Sequence, residues 1–212
     1  MASESKKAIV TRIALLVLLA VEQLSLALAL SKYELLGCLC LGLVVVLAIY
    51  LQRQYQRMHA DTKQLKTKLM RFWKPIGLSW LTLLGGELLF GSLLMVTHTQ
   101  TSANQQTVVH YLHTSRIQLV MLLFVVIVAP IIEEATFRTA IMGFTDLEYG
   151  RVSVIVSAVL FAFAHMGFHG SWLNWGQYFF MGLVLAVLYA KTQDWRTNTV
   201  THILWNLFAI MI

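Results

Sequence analysis

The chain has 212 residues, 58% of them hydrophobic and 12% charged, with a formal net charge of +6. A soluble domain carries about 25% charged residues, so a water-soluble globular fold is excluded. The basic excess gathers in one connection, as the positive-inside rule requires, and not on a nucleic-acid-binding face. The length suits a single integral membrane domain over 1–212, an all-α polytopic transmembrane bundle of about seven spans (six to eight) at about 20 residues each.

Apolar segments are expected near 8–30, 34–51, 74–97, 117–143, 151–168, 174–190 and 197–212. The first follows Lys6, Lys7 and Arg12, has no small-residue cleavage site, and reads as a retained span. Glu22 within it reads as interhelical or water-facing. Cys38 and Cys40, the only cysteines, lie two apart in the second segment and read as buried thiols, not as a metal knuckle or disulfide framework. Segment 52–73 is a basic cytoplasmic loop, with Arg53, Arg57, Lys63, Lys66, Lys68 and Arg71 against Asp61. Leu65, Leu69 and Phe72 within it have the spacing of a short amphipathic helix on the inner leaflet; a plain solvated loop accounts for the same residues.

In the third segment Glu87 follows Gly85-Gly86 and is a candidate cavity-lining carboxylate. Connection 98–116 is polar, and His98, His110 and His113 read there as loop residues, not as a metal set. A cytoplasmic N-terminus places Lys6, Lys7, Arg12, the 52–74 cluster, Arg151, Lys191 and Arg196 inside, leaving only Lys32 and Arg116 outside. The C-terminus then emerges on the outer side, and the expected setting is a bacterial plasma membrane. Trp73, Trp172, Trp175 and Trp195 fall at segment ends, as an interfacial belt places them.

Three apolar segments carry polar side chains that can pair. The fourth holds Glu133, Glu134 and Arg138, the fifth Phe161 and His165, and the last His202 and Asn206. A charge at bilayer depth costs about 2.5 kcal/mol or more, so such residues mark a functional site by default. Glu134 and Arg138 are i, i+4 with the acid first, the better order for an ion pair. Glu133 is turned about 100° from Glu134 and is free to face another helix. Phe161 and His165 share one face, as do His202 and Asn206. Counted along each span at about 1.5 Å per residue, His202 lies about 9 Å deep, Glu133 and Asn206 about 15 Å and His165 about 21 Å. Pro130 can bend the fourth helix and free carbonyls there.

A carboxylate, two imidazoles and a carboxamide suit peptide hydrolysis. Glu133 and His165 can take a proton from water, and His202 and Asn206 can hydrogen-bond the resulting oxyanion. Glu133, His165 and His202 are also a catalytic zinc set, so the residues leave open whether no cofactor or zinc is required. Other protease signatures are missing: no His-Glu-x-x-His, no Gly-x-Ser-x-Gly, and Asp61, Asp146 and Asp194 all lie in connections. A proton-coupled carrier is a competing class, though no inverted repeat supports it. A non-catalytic scaffold or immunity protein is another.

Glu133-Glu134-x-x-x-Arg138, Phe161-x-x-x-His165 and His202-x-x-x-Asn206, in that order, resemble the three motifs of the CPBP (CAAX-protease and bacteriocin-processing, or Abi) family. Ser157-Ala-Val-Leu-Phe161 resembles the lead-in to the second motif, and Gly182 with Tyr189-Ala190 resembles the helix before the third. Thr139 stands where the first motif often has Gly. The resemblance covers about 117–212, the expected catalytic core. It implies an intramembrane endopeptidase in which Glu133 and His165 activate water, His202 and Asn206 stabilise the oxyanion, and Glu134 and Arg138 hold the first motif in place. It further implies a lipid-embedded protein acting on a prenylated, membrane-associated or bacteriocin-like peptide, with the substrate coming in laterally or from the cytoplasmic side.

Overall fold

A computed structural model describes residues 6–59, 69–114, 118–144, 150–168 and 170–211. Lys63, Lys66, Lys68, Asp61 and Leu65 of the basic connection lie outside the described residues, as do Arg116, Asp146 and the side chains of Leu69, Arg71, Phe72 and His113. The described residues form eight helices: α1 (Lys6–Ala29), α2 (Glu34–His59), α3 (Leu69–Val96), α4 (Ala103–Thr114), α5 (Gln118–Phe144), α6 (Arg151–Met166), α7 (Trp172–Thr192) and α8 (Trp195–Met211).

Five of them, α1, α2, α3, α5 and α7, contain stretches long and apolar enough to cross a membrane. The molecule is thus a polytopic helical membrane protein. Helix α6 is apolar but has 16 residues and α8 has 17. At about 1.5 Å per residue each is about 25 Å long, short of a hydrocarbon core of about 30 Å. Large apolar side chains face outward around the bundle, among them Leu24, Leu35, Leu39, Leu88 and Leu119. Lipid can cover such a surface, and water would not tolerate it.

One expectation is corrected here. The connection 98–116 is not irregular throughout, because Ala103–Thr114 forms a helix. Cys38 and Cys40 are partly buried free thiols, and Cys38 packs against the Ala29, Leu41 and Phe124 cluster, as a lipid or packing face allows.

Helix α5 is the axis of the fold. Just over half of it is buried (56%), against 39% or less in the other four candidate spans. Ile131, Ile132, Ala135 and Ala140 of α5 pack against Leu15 and Leu18 of α1 and Val44 and Ala48 of α2. On its other side Met142 joins Val154 of α6 and Ala186 and Tyr189 of α7. Helices α1 and α5 run antiparallel. The Arg12 guanidinium lies 5.5 Å over the Phe144 ring at one end, and Ala29, Leu41 and Phe124 cluster at the other. Helices α6 and α7 approach closely at Gly182, where an added Cβ would stand 3.1 Å from the Ala158 backbone and from Phe161 Cβ. That glycine lets α6 carry Phe161 and His165 tight against the bundle.

Candidate active site

Helix α5 is not α-helical throughout. Phe124–Val128 and Ala135–Ile141 are π-helical and flank an α-helical stretch, Ala129–Glu134, that ends in the two carboxylates. Such wide turns recur at functional sites. The first has a sequence cause. The Ala129 N–H reaches back to the Phe124 carbonyl, and Pro130 has no N–H. The Val125 carbonyl therefore loses both N–H groups that would reach it in α or π register. Asn206 of α8 supplies the donor, with Nδ2 2.9 Å away. Gln52 of α2 likewise donates to the Ile131 carbonyl at 3.4 Å.

Glu134 is fully buried and ties α5 to α8. Its Oε2 accepts from Arg138 Nε at 3.0 Å and from Asn198 Nδ2 at 2.9 Å, and its Oε1 accepts from His202 Nδ1 at 3.0 Å. Arg138 Nη1 also donates to Ser157 Oγ at 2.6 Å, and that hydroxyl donates to the Phe137 carbonyl at 2.9 Å. The Arg138 guanidinium lies 5.3 Å over the Phe161 ring. A buried charge of either sign is tolerated only when paired and hydrogen-bonded, and here each supports the other.

Glu133 stands between the two histidines. Its Oε1 is 3.7 Å from His165 Nε2 and its Oε2 is 3.7 Å from His202 Nε2. The depth spread expected from residue counting collapses to contact distance, because real helix register and tilt replace nominal ends. The ring tautomers follow from the partners. His165 Nδ1 lies 2.8 Å from the Phe161 carbonyl, which only accepts, so this nitrogen carries the proton. His202 Nδ1 faces the Glu134 carboxylate and is protonated for the same reason. In the neutral rings both Nε2 atoms are then proton acceptors. Two acceptor nitrogens and a carboxylate converge on one spot, a set suited to a protic molecule such as water.

Among the described residues no three His, Cys, Asp or Glu side chains are grouped to hold a metal ion.

His165 is clamped between two aromatic rings, Phe161 at 4.3 Å and Tyr178 of α7 at 4.8 Å between centroids. The Tyr178 hydroxyl accepts from Asn104 Nδ2 at 3.1 Å and lies 3.1 Å from Ser102 Oγ. His165, His202 and Asn206 line a cavity of about 670 Å³. Its wall includes the exposed His98, Gln100 and Thr101 at the bundle end opposite the α2–α3 connection.

Ser157, Tyr178 and Asn198 had no assigned role in the sequence reading. Asn198, His202 and Asn206 form an i, i+4, i+8 stripe, and Ser157, Phe161 and His165 form another, so spacing marked two of the three. Tyr178 has no such signal, since it reaches His165 from another helix.

Residues 115–208 match the family model "Type II CAAX prenyl endopeptidase Rce1-like", a range that contains Glu133, Glu134, Arg138, His165, His202 and Asn206. Two curated proteins of Lactococcus lactis subsp. lactis (strain IL1403) are similar. The UPF0177 protein YvdC is 34% identical over 85 residues, 40% of this chain and 31% of that protein. The UPF0177 protein YxdF is 32% identical over 82 residues, 39% of this chain and 44% of that protein. The matched part thus spans less than half the length of either relative. No solved structure matches the chain. With the three motifs assembled around one carboxylate, residues 115–208 are a domain of the Rce1-like type II CAAX prenyl endopeptidase family, the CPBP family.

Proposed function

We propose that this chain is an intramembrane endopeptidase that hydrolyses a peptide bond with water activated by Glu133 and His165. The observation that carries this reading is the convergence of Glu133 with both histidine Nε2 atoms at 3.7 Å, inside the matched family domain. Water placed between Glu133 and His165 gives a proton to this acceptor set as its oxygen adds to the scissile carbonyl. The developing oxyanion takes a hydrogen bond from the second N–H of Asn206, whose amide is aimed by the Val125 carbonyl. Glu133 takes the proton from water and passes it to His202 Nε2, 3.7 Å away, which makes His202 a donor to the oxyanion. That proton then passes to the leaving amine nitrogen as the C–N bond breaks, and the acceptor set is restored. Glu134, Arg138 and Ser157 hold the histidine and the helix in register.

The substrate class is a membrane-associated peptide, prenylated or bacteriocin-like. The bundle crosses the membrane seven times in this reading, with α6 and α8 as short spans. A cytoplasmic N-terminus then places the cavity in the outer half of the bilayer. The test compares membrane and secreted peptides from cells expressing wild type or Glu133→Gln at equal levels. New peptide ends with wild type alone support hydrolysis. Identical peptides, with any phenotype retained by Glu133→Gln, replace it with a non-catalytic scaffold.

A further inference from the structure

One wall of the cavity lies outside the family domain and carries a charge. Glu87 sits on α3, and its Oε2 accepts from Gln177 Nε2 of α7 at 2.8 Å. It has no cationic partner among the described residues, and the cavity lining contains no Lys or Arg. It lies nine residues before the end of α3 at Val96, about 13 Å along the helix axis. A carboxylate at such depth is costly unless it is paired or hydrated. Glu134 offsets that cost with Arg138; Glu87 has only a neutral amide. Gln177 precedes Tyr178, the residue stacked on His165, so the carboxylate is a near neighbour of the candidate chemistry. Around it the lining is apolar, with Phe90, Leu94, Met181 and Trp205. The volume falls within the range of ligand pockets, about 300–1,000 Å³.

We infer that Glu87 is a specificity residue that selects a peptide carrying a cationic group, a Lys or Arg side chain or a free α-amino group, in an otherwise apolar segment. The same wall disfavours a peptide whose C-terminal carboxylate must enter this part of the cavity. The inference rests on the reading of the cavity as a peptide site. It goes beyond that reading, which concerns only residues of the matched domain.

The test measures peptide affinity, not turnover, on the full-length detergent-solubilised chain. Three apolar pentapeptides serve as probes: one blocked at both ends with a central Lys, the same with norleucine, and the norleucine peptide with a free α-amino group. Wild type is expected to prefer one or both cationic peptides over the blocked norleucine peptide by about tenfold. The peptide that gains the preference identifies the source of the cation. The preference is expected to fall toward onefold in Glu87→Gln, which can keep a hydrogen bond to Gln177. It is expected to fall also in Gln177→Lys, which leaves Glu87 in place and neutralises it. Thermal unfolding of each variant identifies misfolding, and the second variant decides if the first does not fold. Equal affinities in wild type, or a preference that survives both substitutions, overturn the inference. A purely structural Glu87–Gln177 bond would alter stability and leave the affinity ratio unchanged. Cation preference without hydrolysis removes the enzymatic reading alone, and hydrolysis without preference removes this one alone.

Discussion

Asn206 donates to the Val125 carbonyl across 2.9 Å, and it does so because Pro130 leaves that carbonyl without a helical partner. Pro130→Ala supplies an N–H in the same helix that can compete for the carbonyl or reset the π-turn. Hydrolysis is expected to fall about tenfold with little loss of thermal stability, since Pro inside a helix is itself costly. Asn206→Ala removes the proposed oxyanion donor and is expected to cost about 10²–10³ in kcat. Both effects should appear in kcat more than in KM; a pure KM effect would sink the oxyanion role.

Glu133→Gln and His165→Ala are each expected to lower hydrolysis by about 10²–10⁴, the usual contribution of general acid–base groups. The double variant should be little worse than either single one, since the two residues act on one proton. Product formation in purified protein, at matched folded fraction, measures this. Independent, multiplying losses would show that they do not share that proton.

The Glu134–Arg138 pair predicts opposite outcomes for stability and activity. Arg138→Met leaves a buried carboxylate uncompensated and is expected to cost about 3–5 kcal/mol. Adding Glu134→Gln should recover part of that stability. It should not recover hydrolysis, because Glu134 also orients His202. Thermal unfolding and turnover of the same samples separate the two effects.

At Gly182 the clearance of 3.1 Å to the Ala158 backbone leaves little room. Gly182→Ala should be tolerated with a small shift in melting temperature. Gly182→Leu should cost about 1–3 kcal/mol by overpacking and should displace Phe161 and His165, lowering activity further than its stability loss accounts for.

Tyr178→Phe keeps the ring on His165 and loses the hydroxyl contacts to Ser102 and Asn104. It is expected to retain most activity while weakening the 98–105 segment, readable as faster amide exchange there. Tyr178→Ala removes the ring as well and should lower kcat.

What the sequence disclosed was mostly local. Long apolar runs gave the helices. The i, i+4 spacing gave the Glu134–Arg138 ion pair and the Phe161–His165 stack, because both partners ride one helix. Contacts between helices were harder to read. Residue counting scattered Glu133, His165 and His202 in depth, since it assumes straight helices and known ends, whereas α5 has two π-turns. Glu134 was legible as the partner of Arg138 and not as the hub for His202 and Asn198, which arrive from α8. Helix α4 escaped notice because its Gln, Thr and His residues show no apolar stripe. Glu87 was legible as a cavity candidate, but Gln177 gave no sign of being its partner.

With Glu87 as the selecting residue, α3 supplies part of the recognition surface from outside the matched domain, while Gln177, Met181 and Trp205 supply the rest from within it. Natural variation in residues before 115 can retune what is bound while the hydrolytic apparatus stays constant. Chimeras that exchange α3 between relatives then offer a way to graft one protein's preferences onto another's reaction centre.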